Sequence, residues 1–93
     1  VRSVLEQIGD LHAFIRWLCD QRVFNKGQCN ALLVKLSHSE QKLGRGLDRV
    51  AANMVRALRN QVVALARRGK LAPATAEELL VVIDLILAGL ETG

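Results

Sequence analysis

LDRVAANMVRALRNQVVALARR, residues 47–68, is the stretch on which the fold turns. Apolar side chains recur at Val50, Ala51, Met54, Val55, Leu58, Val62 and Leu65, the three- and four-residue spacing of one helix face. Gly44-Arg45-Gly46 stands before the stretch and Gly69 after it. A glycine just past a helix end supplies the left-handed residue that closes it, so the segment reads as one helix over about Leu47 to Arg68.

The same period extends outward in both directions. Upstream, Cys29, Leu32, Leu33, Leu36 and Leu43 predict a helix over about Lys26 to Leu43, with Asn25 as its cap and Gly27 loosening the junction. Before that, Val4, Ile8, Leu11, Ile15 and Leu18 predict one from about Arg2 to Arg22, stopping near Val23–Phe24. Downstream, Pro73 suits a first helical turn, with Glu77 and Glu78 near the positive end. The last helix then runs to about Leu90 on a stripe of Ala76, Leu79, Leu80, Ile83, Leu87 and Leu90. Connections this short make neighbouring helices run in opposite directions. The expectation is an all-α, antiparallel up-down four-helix bundle forming a single domain over residues 1–93.

Composition agrees with that class. Apolar residues make up 51% of the chain but aromatics only 3%, so the core must come from Leu, Val, Ile and Ala. One proline and seven glycines are too few turn residues for many short strands. Leu79 to Leu90, the longest apolar run, is interrupted by Asp84 and falls short of the roughly 20 residues that span a bilayer, so no membrane insertion is expected. The chain opens directly in helix-like sequence and reads as a piece of a longer multidomain protein.

Few side chains are grouped for chemistry. Cys19 and Cys29 each lie about one turn from the hairpin near Phe24, on the apolar faces of their helices. Two readings stay open on that placement: a disulfide stapling the hairpin, or two small buried apolar residues. Two cysteines without a paired motif do not make a metal site. His12 and His38 lack companions at ligand spacing, and in Ser37-His38-Ser39 adjacent helical residues point about 100° apart, so no nucleophile–base pair forms. Glu40 falls on an inward stripe between Leu36 and Leu43 and reads as a boundary residue near the helix end, hydrogen-bonded or paired with an Arg or Lys. No catalytic residue, metal or cofactor is expected, and the chain is not expected to be an enzyme.

Two surfaces stand out. Between Arg45 and Lys70 seven basic residues face one acid, Asp48, while the net charge of the whole chain is +4. At about 100° per residue, Arg45, Arg49, Arg56, Arg59 and Arg67 share an arc of about 80°. That arc is either a solvated helix face or a ridge for nucleic acid or an anionic polysaccharide. The last helix is apolar nearly all round, with Val82 and Leu85 off its main stripe, and Trp17 lies off the stripe of the first helix. Trp17, Val82 and Leu85 are therefore candidates for contact with a protein partner or a neighbouring domain.

Several loose motifs resemble the FIMAH domain family across residues 5 to 91. These are Asn30-Ala31-Leu32-Leu33-Val34-Lys35-Leu36 followed by Glu40 and Leu43, then Ala51-Ala52-Asn53 leading to Ala57-Leu58-Arg59-Asn60-Gln61-Val62. Gly69-Lys70-Leu71 and Ala76 with Leu79-Leu80 complete the set. Leu58-Arg59 departs from the family's Phe-Ile pair, and Ala72 from its capping Ser or Thr. The resemblance implies a non-catalytic accessory module of secreted or surface-attached multidomain bacterial proteins. An extracellular setting of that kind favours the disulfide reading of Cys19 and Cys29.

Overall fold

The local signals for helix ends act almost where the sequence places them. In a computed structural model, which describes residues 3–92, the chain forms α1 (Val4–Asp20), α2 (Lys26–Gly44), α3 (Asp48–Arg67) and α4 (Pro73–Thr92), with no strand among the described residues. The expected start of α1 at Arg2 lies outside the described residues. Ser3 caps α1, its Oγ accepting from the Glu6 amide at 3.2 Å. Asn25 caps α2 in a reciprocal box: the Gln28 amide donates to Asn25 Oδ1 at 2.8 Å, and the Asn25 amide to Gln28 Oε1 at 3.0 Å. Gly27 lies inside the first turn of α2 rather than in the junction.

Three helices end in the same backbone motif, in which the two amides after the cap reach back to the last turn. For α2 the Gly46 and Leu47 amides donate to the Leu43 and Lys42 carbonyls, and for α3 the Gly69 and Lys70 amides to those of Ala66 and Leu65. Both glycines take positive φ, +77° and +72°. The first hairpin closes identically, with the Arg22 and Val23 amides on the Cys19 and Leu18 carbonyls, but Arg22 itself occupies the left-handed position at φ 61°. That turn ends α1 at Asp20, two residues before the expected Arg22.

Each helix packs on its neighbours in chain order, and α4 closes back onto α1, giving a bundle of 35 × 21 × 20 Å. Ile8, Leu11, Ile15 and Leu18 of α1 meet Leu32 and Leu36 of α2, Val55, Leu58 and Val62 of α3, and Leu79, Ile83 and Ile86 of α4 in one core. Burying each such side chain is worth about 1.5–3 kcal/mol. Phe24, from the first turn, and Leu71, from the last, are buried in the same core.

The inward faces differ from the expected stripes at their edges. Val50 is 39% exposed rather than core, since it sits about 100° around the helix from Ala51. Ala52 and Ser39 are buried instead, Ser39 Oγ donating to the Lys35 carbonyl at 2.9 Å. On α4, Ile86 is fully buried while Leu80 and Leu87 are only partly so. A helix apolar on every side offers too little contrast for periodicity to fix its rotation.

Cys19 and Cys29 form a disulfide between α1 and α2, their Cα atoms 5.9 Å apart across 10 positions of chain. Closing so short a loop in the unfolded chain is worth roughly 3 kcal/mol in the entropic account. A domain of this size gains a large share of its margin from one such staple.

Candidate interaction surface

Two of the three expected contact residues, Val82 and Leu85, line depressions between α1 and α4, and Trp17 stands beside them. Trp17 is 56% exposed and stacks on Phe14, ring centroids 6.4 Å apart at 22°. Leu85 is 56% exposed on the facing helix, and Val82 packs half-buried against the edge of the core. Val81, which the stripe analysis passed over, is 59% exposed and is the most open large apolar side chain of α4. An open depression of about 570 Å³ is lined by Phe14, Ala74, Glu77, Glu78, Val81 and Val82. Val82 also borders a second depression of about 220 Å³, shared with Gln7, Asp10 and Leu85, so the two form one furrow. At the far end of α4, Gly89 lets the helices close up: a Cβ there would stand 2.7 Å from Val4 Cγ2.

The arginine arc is built differently. Arg59 Nε donates to Asp84 Oδ1 at 2.9 Å, and Arg56 donates to Glu91 and, at 3.2 Å, to Asn53 Oδ1. Two arginines of the arc thus tie α3 to α4, while Arg45, Arg49 and Arg67 make no ion pair among the described residues. Arg45 belongs to a different element from the others. The left-handed turn at Gly46 breaks the helix before α3, so Arg45 is the C-cap of α2 and a wheel carried across that turn misplaces it. A depression of about 540 Å³ at this end is lined by Arg49, Asn53 and Arg56 together with Asp48 and Glu91, so cations and anions are mixed in it.

The remaining polar residues are structural in their contacts. His12 Nδ1 and Glu40 Oε1 lie 3.2 Å apart and bridge α1 to α2, so Glu40 is hydrogen-bonded as expected, with a histidine rather than an Arg or Lys. His38 is exposed while Ser39 is buried, as their 100° separation requires. Among the described residues no three His, Cys, Asp or Glu side chains gather closely enough to hold a metal ion. No described helix is long and apolar enough to cross a membrane.

No family model, no curated protein and no solved structure matches the chain. The reading of its function therefore rests on its own residues and on the resemblance given above.

Proposed function

We propose that this chain is a non-catalytic helical accessory module that docks a neighbouring domain or a protein partner through the α1–α4 groove. One observation carries the proposal: Val81 and Leu85 line adjoining depressions, Trp17 stacks on Phe14 at their edge, and Val81, Leu85 and Trp17 are each more than half exposed. Scattered exposed apolar side chains are ordinary, whereas an apolar furrow flanked by the sole tryptophan of the chain, stacked on one of its lining residues, is the anatomy of a contact surface. Up-down, antiparallel helices are part of this reading. Partner residues on successive helices support that order, since Cys19 meets Cys29 and His12 meets Glu40, while Arg56 meets Glu91 and Arg59 meets Asp84. In each case the higher number on one helix goes with the lower on the next.

The resemblance to FIMAH domains supports an accessory role beside other domains of a secreted or surface-attached protein. The Cys19–Cys29 disulfide fits an oxidising compartment of that kind. Hydroxyl-radical footprinting tests the docking face. Trp17 and Leu85 are expected to label readily in the isolated chain and to be protected in the parent protein or its complex. Equal labelling in both states overturns the reading.

Binding of nucleic acid or an anionic polysaccharide is the second reading, favoured by the seven bases between Arg45 and Lys70. Two of the five arc arginines are already engaged by acids of α4, which reduces what remains for a polyanion.

A further inference from the structure

Resting on that docking reading, we propose that the occupant of the α1–α4 groove is a basic amphipathic helix of a protein partner. The shape sets the first limit. From Ala74 to Leu85 the furrow follows α4 for about 16 Å at 1.5 Å per residue, which accommodates about three turns of an incoming helix. Grooves between helices take an apolar stripe at i, i+3, i+4 and i+7, and Val81, Val82, Leu85 and Phe14 offer the apolar floor such a stripe needs.

Charge then selects the partner. Among the described residues every charged side chain lining the furrow is an acid, Asp10, Glu77 or Glu78, although the chain as a whole carries +4. Lysines and arginines flanking the incoming stripe would meet these carboxylates at the rim, where complementary charge steers encounter and sets specificity. The same rim disfavours the other occupants. A second copy docked through the same groove would bring one acidic rim toward another, and an anionic membrane surface would be repelled.

Trp17 is the only tryptophan and stacks on Phe14, which lines the groove, so its emission reports on the groove through that contact. The probes are tryptophan-free synthetic helical peptides of 18 residues on the order of five turns. One carries a leucine stripe flanked by lysines, a twin carries the same stripe flanked by glutamates, and a third has the lysine composition with the stripe scrambled. The lysine peptide is expected to shift Trp17 emission saturably and to bind about 10-fold more tightly than its acidic twin at low salt. That ratio is expected to shrink as salt shortens the screening length. In the Glu77→Lys, Glu78→Lys double variant, checked for unchanged helicity, the preference is expected to reverse.

Equal binding of the acidic twin, or an unchanged preference in the double variant, overturns the basic partner and leaves the docking face standing. Equal binding of the scrambled peptide overturns a helix in the groove. Dimerisation through Trp17 makes a second copy the occupant and also overturns the proposal. If no peptide binds while Trp17 is protected in the parent protein, the partner class is wrong. If Trp17 is not protected either, the docking reading falls with it.

Discussion

Arg22 shows how much a single backbone angle can hold. It occupies the left-handed closing position of α1, the role that Gly46 and Gly69 fill after α2 and α3. An L-residue with a side chain there costs about 1–2 kcal/mol. Glycine removes that cost but adds about 0.4–1 kcal/mol of unfolded-chain freedom. Arg22→Gly is therefore expected to stabilise the domain by about 0.5–1 kcal/mol, read as a higher thermal midpoint, and a lower midpoint would contradict the assignment. Gly9 and Gly89 make a sharper pair. Both lie inside helices, but a Cβ at Gly9 meets nothing within 4 Å, while one at Gly89 would stand 2.7 Å from Val4 Cγ2. Gly9→Ala should gain about 1 kcal/mol of helix propensity. Gly89→Ala should lose about 1 kcal/mol net, because overpacking at about 1–3 kcal/mol outweighs the propensity gain. Adding Val4→Ala removes the obstructing methyl, so the double variant should be more stable than the two single effects added together. Chemical denaturation of the four proteins reads the coupling, and strict additivity would place the two residues out of contact. At this scale the glycine closures and the Asn25 cap were legible because those residue types are used for those jobs. Arg22 carried no such mark, and neither did the close approach at Gly89, which depends on how two distant helices meet.

Helices were legible in number and in face wherever polar and apolar residues alternate strongly. Helix α1 is the clear case: of the stripe Val4, Ile8, Leu11, Ile15 and Leu18, all but the half-buried Val4 lie in the core. Helix α4 is the opposite case, since almost any rotation of it buries apolar atoms. Its rotation is set by what the other three helices leave open, which is tertiary information absent from its own sequence. The outcome puts Ile86 at 0% exposure beside Leu85 at 56%, adjacent residues of nearly equal hydrophobicity. Ile86→Ala is expected to cost about 2–5 kcal/mol through lost burial and a cavity. Leu85→Ala is expected to change stability by no more than about 0.5 kcal/mol. Urea midpoints of the two variants decide the rotation: comparable losses, or a larger one at Leu85, would mean that α4 is turned otherwise. The same rotation presents Val81 and Leu85 to the furrow, so this measurement also bears on the docking face.

Over the whole molecule, charge is segregated in a way that a net value hides. Among the described residues the charged groups lining the α1–α4 furrow are all acids, whereas α3 and its flanks hold most of the excess of bases. The clustering of arginines could be read from spacing, but their pairing could not, because Asp84 and Glu91 lie 25 and 35 positions from their partners. That pairing has a measurable consequence. For duplex DNA each neutralised phosphate contributes about 0.9 to the slope of log affinity against log salt. All five arginines acting together would give a slope near −4.5, and the three without partners, Arg45, Arg49 and Arg67, about −2.7. Any affinity for duplex DNA is therefore expected to be weak, with a slope no steeper than about −3. Asp84→Asn with Glu91→Gln should release Arg59 and Arg56 and steepen the slope toward about −4.5. Both pairs are partly exposed and each is worth at most about 1 kcal/mol after solvent screening, so the double variant should keep its fold. A slope near −4.5 in the unaltered chain would mean that a polyanion displaces the α4 carboxylates freely and engages Arg45 of the α2 cap together with the four arginines of α3. An unchanged slope in the variant would mean that the released arginines do not reach the phosphates.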